Sequence, residues 1–283
     1  MDQPVTDTAG KLMPRDRAAR LGRETVAMLR ANGYTAPSRR WVSLESALDA
    51  AREGTIDYPP DASVPDPPHG SHATVITVEN NTTLEVGRRL TADGRVAALN
   101  FASATSPGGG FLRGALAQEE SLARSSGLCA CLEDREMYPF HRQHCDSLYS
   151  NYVIYSPDVP VFRLDNGDLL EAPWPLSILT SPAANANALE FEAPEQLPQI
   201  PTAMTKRVRK VLSVAAAHGH DRLVLGAWGC GAFGIPSATV APIFRAALLG
   251  RFAGVFRVVV FAITDWSKDR RFIGPFEEAF ADG

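Results

Sequence analysis

"RVAALNFASATSPGGGFLRGALAQEESL", residues 95–122, is the stretch on which the fold turns. An apolar run from Val96 to Ala102 has the length of a strand buried on both faces of a sheet. It leads into three consecutive glycines, Gly108, Gly109 and Gly110, and a helical pattern follows from Leu116. Strand, glycine turn and helix in that order form the corner at which open α/β sheets hold ligands. Glycine lets backbone N–H groups approach a pyrophosphate without a Cβ in the way, and the helix N-terminus adds partial positive charge. Two familiar phosphate loops are excluded by spacing. There is no G-x-x-x-x-G-K-[ST], and no G-x-G-x-x-G follows the first strand.

Outward from this corner the same texture repeats. Short apolar runs occur at "ATVITVE" (73–79), "NYVIYSP" (151–157), "LSILTSP" (176–182), "RLVLGAW" (222–228) and "FRVVVFAIT" (256–264). Helical patterns alternate with them, at Leu116 to Cys131, Met204 to His218, about Ser237 to Leu249, and the C-terminus. "VFRLDNGDLLEAP" is the clear hairpin signal, because Asn166-Gly167 suits a tight turn. Runs that are apolar throughout, alternating with helices, predict a three-layer α/β/α domain with a mixed central sheet, over residues 69–283.

Residues 1–68 read differently. "RDRAARLGRETVAMLRAN" is an amphipathic helix stopped at Gly33, and "SLESALDAAREG" a second helix with Ser43 as N-cap and Gly54 at its end. "DYPPDASVPDPPHG" is Pro-rich and predicts an extended linker. The expectation is a helical extension joined to the α/β domain by this linker.

Bulk composition narrows the function classes. The chain has 283 residues, 45% hydrophobic and 21% charged, with a net charge of −4. Such a chain buries a sizeable core and sets up no global field that would recruit nucleic acid, so a polyanionic substrate needs local donors. No apolar run approaches the length of a membrane span, and no signal peptide is expected. Cys129, Cys131, Cys145 and Cys230 are therefore expected as free thiols in a reducing, cytoplasmic compartment. Zinc at "CAC" (129–131) or "HRQHC" (141–145) is not favoured, since C-x-C is an unusual structural spacing. "KRVRK" (206–210) reads as a solvated basic helix face.

The carboxylates following the glycines carry the chemistry. At helical spacing Glu120 shares a stripe with Leu116 and Ala123, and Glu119 one with Ala115 and Leu122. A carboxylate on an apolar stripe faces the interior or a cleft, where burial raises its pKa toward values useful for proton transfer. "RLVLGAWGCGAFGIPSATV" (222–240) supplies a second glycine-rich corner, with Gly229, Gly231 and Gly234 after a buried strand. Two such corners on one sheet can grip a diphosphate from both sides. Phe233 is placed to lie against a sugar or base, and Cys230 is a small filler.

These residues resemble the poly(ADP-ribose) glycohydrolases, in which GGG is followed seven residues later by QEE. "RAARLGRETVAMLRANGY", "NYVIYSPDVPVFR", "ILTSPAANA" and "GAWGCGAFG" resemble the microbial branch in particular. The resemblance implies a macrodomain with an N-terminal extension that cleaves ribose–ribose linkages. It implies Glu120 as catalytic acid/base, Glu119 on the ribose hydroxyls, Gln118 in support and Asn100 orienting the scissile ribose. Gly108 to Gly110 would face the diphosphate. The loop Gly229, Cys230, Gly231, Ala232, Phe233 and Gly234 would close over it, with Phe233 against the distal ribose. Glu79, ending the first strand of the domain, is the expected partner of the adenine amino group. Thr264 and Asp265 reach the same rim without an assigned role. Poly(ADP-ribose) or ADP-ribosylated protein is the expected substrate and ADP-ribose the product, with no cofactor, metal or membrane, and a monomeric chain. Removal of a single terminal ADP-ribose, or ADP-ribose binding without cleavage, are the alternative readings.

Overall fold

The computed structural model describes residues 13–67 and 69–281. The N-terminal part comprises helix α1 (Arg15–Arg30), a ribbon of β1 (Gly33–Thr35) and β2 (Trp41–Ser43), helix α2 (Glu45–Glu53) and strand β3 (Ile56–Tyr58). Then come β4 (Val75–Glu79), α3 (Thr83–Leu90), β5 (Val96–Phe101), α4 (Gln118–Ser125), α5 (Leu128–Leu132) and α6 (Met137–His144). The long strands β6 (Val153–Arg163) and β7 (Leu169–Ser181) precede α7 (Ala186–Glu192) and α8 (Ile200–Ala217). The chain closes with β8 (Arg222–Leu225), α9 (Ser237–Leu249), β9 (Val258–Ala262) and α10 (Gly274–Ala279).

The predicted mixed sheet is present. Seven strands lie in the order β3-β6-β7-β5-β8-β9-β4. β7, β5, β8, β9 and β4 pair in parallel, while β6 and β3 add on antiparallel. Alternation along β5 explains the three layers. Ala97 and Leu99 pack with Val208 and Val211 of α8, Phe244 of α9 and Phe276 of α10. Val96 and Ala98 pack with Leu84 and Val86 of α3, Leu122 of α4 and Met137 of α6. Both faces of the strand are thus apolar, as a run without polar alternation requires.

The hairpin forms at Asn166-Gly167, as a three-residue loop. Leu164 donates to Asp168 O at 2.9 Å, and Gly167 takes φ +97°.

Four expectations are corrected. The helix read as Leu116 to Cys131 starts at Gln118 and breaks into α4 and α5. Ser126 bridges Val161, and Gly127 N donates to Pro160 O at 2.9 Å, so the neighbouring strand captures the backbone between the two helices. α2 opens at Glu45, with Ser43 Oγ accepting from Glu45 N at 3.3 Å and Leu44 at the N-cap position. The Pro-rich segment begins as a strand, since Asp57 and Tyr58 pair with Ile154 and Val153. The basic stretch on α8 is solvated only in part. Arg207 and Lys210 are buried and bond backbone carbonyls, Arg207 those of Ser150 and Leu148, Lys210 that of Pro59.

α1 lies directly on the glycine corner. Thr25 Oγ1 donates to Arg124 O at 2.5 Å, and a Cβ on Gly22 would stand 2.8 Å from Phe111 O.

Candidate active site

At the end of β5 the strand's free backbone groups are taken up by one side chain. Gln118, first residue of α4, accepts from Phe101 N at 2.9 Å and donates to Leu99 O at 2.7 Å and Thr83 Oγ1 at 3.1 Å. That fixes the start of α4 against β5 and places the next two residues under the glycines. Asn100 is fully buried and donates to Thr180 Oγ1 at 3.2 Å and, at 3.5 Å, to Glu119 Oε1; its own oxygen has no partner.

The two glutamates are bound differently. Glu119 Oε2 accepts from Ser103 N at 2.7 Å. Burial drives its pKa well above the ordinary carboxylate range; the Ser103 bond opposes the shift and the charge of Glu120 adds to it. Glu120 Oε1 accepts from Gly110 N at 2.9 Å, while its Oε2 is buried with no hydrogen-bond partner. Arg124, one turn on, is buried and donates to Ala115 O at 2.6 Å. Burial lowers its pKa to about 10, against the opposing charge of Glu120.

Only glycine fits above this pair. Gly109 has φ +60°, and a Cβ there would stand 2.3 Å from Glu120 Oε1 and 2.9 Å from Glu119 Oε2.

The second glycine corner is held as tightly. Gly234 has φ +75°, and its absent Cβ would meet Asn187 Oδ1 at 2.2 Å. Asn187 donates from its amide to Ala232 O at 2.9 Å and from its backbone to Phe233 O at 3.2 Å. Trp228, fully buried beneath the loop, donates to Ser181 O at 3.2 Å. Cys230 points into the apolar core, and burial pushes its thiol up to about 12.

A cavity of about 820 Å³ runs between these corners. Gln118, Ser121 and Leu122 form one wall, and Gly229, Gly231, Ala232 and Phe233 another. Of the residues expected on the ligand, Gln118, Gly229, Gly231, Ala232 and Phe233 line it directly. Asn100, Gly108, Gly109, Gly110, Glu119 and Glu120 form a connected cluster just behind this wall; Glu119 and Glu120 are 3% and 7% exposed. Cys230 and Gly234 support the second loop from behind. Glu79 stands apart from the lining, with its carboxylate on Arg89 at 2.6 Å. Its neighbours Asn80 and Asn81 line the cavity instead, because Asn80 turns back to bond Asp265 O at 2.7 Å and Asp265 N at 3.0 Å.

Sequence reasoning missed several lining residues. Trp266 is 62% exposed and lies at the rim beside Thr264. A tryptophan immediately beyond a buried strand was the available signal. Asp265, unassigned from sequence, organises that rim by accepting from Ser267 N, Phe272 N and Ile273 N. Burial raises its pKa, but these bonds outweigh burial and leave it lowered. The hairpin tip, Arg163 to Asn166, also reaches the cavity, where Asp165 accepts from Thr82 Oγ1 at 2.6 Å. No local pattern signals that a hairpin folds back onto α3.

A family model described as the catalytic domain of microbial-type PARG matches residues 22–164, half of the chain. The chain belongs to the microbial-type poly(ADP-ribose) glycohydrolase family. Among solved structures, poly(ADP-ribose) glycohydrolase from Thermomonospora curvata is 45% identical, with a TM-score of 0.88, over 94% of this chain and 100% of that one. The same enzyme bound to the inhibitor ADP-HPD is 44% identical, with a TM-score of 0.84, over 93% and 99%. The glycohydrolase from Deinococcus radiodurans in complex with ADP-ribose is 43% identical, with a TM-score of 0.78, over 82% and 96%. Comparison with curated protein sequences found no match. Membership of the glycohydrolase family and the three-layer fold thus agree with the GGG…QEE reading. Among the described residues no helix is long and apolar enough to cross a membrane.

Proposed function

We propose that this protein hydrolyses the ribose–ribose O-glycosidic bonds of poly(ADP-ribose) and releases ADP-ribose. The observation that carries this is the state of Glu120. One oxygen is fixed by Gly110 N, and the other is buried without a partner beneath the first glycine corner. Leaving a carboxylate oxygen unpaired in an apolar setting is costly unless a ligand completes it.

Cleavage of the acetal passes through an oxocarbenium-like ribose. Glu120 protonates the departing 2′ oxygen and then removes a proton from the water that attacks the anomeric carbon. One carboxyl serves both steps. Burial favours the uncharged form of Glu119, which can then donate to a ribose hydroxyl. Asn100 orients the scissile ribose, and Phe233 packs against it. The first glycine corner spends its N–H groups internally, Gly109 N on Ser106 O and Gly110 N on Glu120 Oε1. The backbone N–H groups of the second corner therefore hold the diphosphate, whose charge stabilises the cationic ribose. Trp266, in the cavity lining, offers an aromatic face to the adenine.

α1 closes the flank of the first glycine corner, which supports cleavage mainly from the chain terminus. The segment from α1 to α2 then acts as a specificity extension to the catalytic domain, whose sheet begins at β3. The chain works as a monomer in the cytoplasm, and the four free thiols suit a reducing compartment.

Auto-modified, poly(ADP-ribosyl)ated protein incubated with the enzyme tests this by chromatography of the products. Monomeric ADP-ribose accumulating from the earliest time points, while chains shorten gradually, is the expected result. Oligomers released first would overturn the terminal mode, and an intact polymer would overturn the activity.

A further inference from the structure

The segment after α6 joins the two glycine corners, and one of its residues is held at unusual cost. Arg142 of α6 donates to Thr105 O at 2.7 Å, in the lead-in to the first glycines. Seven residues on, the ring of Tyr149 lies 6.1 Å from that of Phe233 in the second corner, at 49°. The same ring also meets that of His141, 5.6 Å away at 75°. Tyr149 has φ +54°, a left-handed conformation that a bulky side chain adopts only when its surroundings impose it.

Those surroundings are built for the purpose. Arg207 reaches up from α8, almost fully buried, and donates to the carbonyls of Leu148 and Ser150, the residues on either side of Tyr149. Ser150 Oγ is bonded to His141 Nε2 at 2.8 Å, and Asn185 N donates to Ser147 O at 2.9 Å. A guanidinium is expensive to bury when its oxygen partners are carbonyls rather than a paired carboxylate. Strain and a buried charge are thus both placed at one residue, whose ring touches the loop that closes the site.

We propose that Tyr149 is a positioning residue for hydrolysis: its ring braces Phe233 and so fixes the ribose against Glu120. This rests on the reading of Phe233 as the residue facing the distal ribose. Tyr149 itself contacts Phe233 and not the cavity, so its effect falls on turnover more than on ligand affinity.

Glycine accepts φ +54° freely, and this gives a test that separates function from folding. Tyr149→Gly, Tyr149→Phe, Phe233→Ala and the Tyr149→Gly/Phe233→Ala double variant are compared with wild type for melting temperature, ADP-ribose affinity, and kcat and KM on poly(ADP-ribose). Tyr149→Gly is expected to melt within a few degrees of wild type, to bind ADP-ribose within roughly threefold, and to lose roughly ten- to hundredfold in kcat. Tyr149→Phe keeps the ring and stays within about twofold of wild type, and the double variant is no slower than Phe233→Ala by more than about twofold. Undiminished kcat in Tyr149→Gly, a loss that adds in full to that of Phe233→Ala, or collapse of its melting transition would each overturn the role of Tyr149. A wild type that leaves the polymer intact overturns the glycohydrolase reading and this role with it. Wild-type turnover with an unimpaired Tyr149→Gly overturns the role of Tyr149 alone.

Discussion

Gly109 lies so close over Glu120 that a single methyl group on its α-carbon would stand 2.3 Å from the carboxylate oxygen Oε1. The glycine corner and the glutamate pair are therefore one unit. The loop cannot change without moving the carboxylates, and the carboxylates cannot shift without breaking the bond from Gly110 N.

Gly109→Ala tests that coupling. The methyl group meets both glutamates, and φ +60° disfavours any Cβ, so the change is expected to cost about 2 kcal/mol or more of stability. Displacing Glu120 should lower kcat on the polymer by roughly a hundredfold or more. Thermal melting and initial rates of ADP-ribose release check the two parts separately.

Trp266 predicts the opposite pattern. It lines the cavity outside the cluster that holds the glutamates, is 62% exposed, and offers a stacking face. Trp266→Ala should weaken ADP-ribose binding by roughly tenfold or more, the order expected for one lost base–aromatic stack, with kcat little changed. Calorimetric titration with ADP-ribose, alongside kcat at saturating polymer, measures this.

Acid should destabilise the fold through two buried histidines. His220, bonded to Tyr155 at 2.9 Å, and His141 are both lowered to about 4 by burial. Each is neutral when folded, while the unfolded chain takes up a proton near 6.5, so the unfolded state binds more protons in between. Stability therefore falls as pH drops from about 6.5 to about 4, by of the order of 3 kcal/mol per histidine. Denaturant midpoints across this window should fall, and His220→Gln should remove a large part of the slope.

Glu119 acts with the other sign. Its pKa is raised in the fold, so its contribution is favourable below the unfolded value and lost as pH rises toward the folded one. Glu119→Gln is thus expected to raise the melting temperature at neutral pH while lowering activity, a trade that marks a residue kept for chemistry. Differential scanning calorimetry at pH 5 and pH 8 distinguishes this from a uniform gain.

How much of this was legible in the sequence depended on the range of the interactions. Short runs apolar on both faces announced strands such as β5, because burial in a parallel sheet leaves no polar alternation. Adjacent glycines and glutamates announced the site, because strand, loop and helix N-terminus are contiguous in the chain. What stayed hidden was set by distant partners. The break at Ser126 follows from capture by β6, and the withdrawal of Glu79 from an ion pair with Arg89. The burial of Arg207 follows from carbonyls almost sixty residues earlier, and the arrival of Asp165 at the cavity from a hairpin folding back on α3. None of these leaves a local mark.

Hydrolysis as proposed requires Glu120 to perform the proton transfers at the glycosidic bond. Glu120→Gln keeps the shape and the acceptor for Gly110 N but cannot exchange a proton, so it separates chemistry from binding. The most direct measurement is the rate of ADP-ribose release from poly(ADP-ribose) by this variant, with ADP-ribose affinity measured in parallel. The expected result is a loss of roughly a thousandfold or more in rate with affinity within about threefold of wild type. A Glu120→Gln protein that still shortens the polymer at near wild-type rate would contradict it.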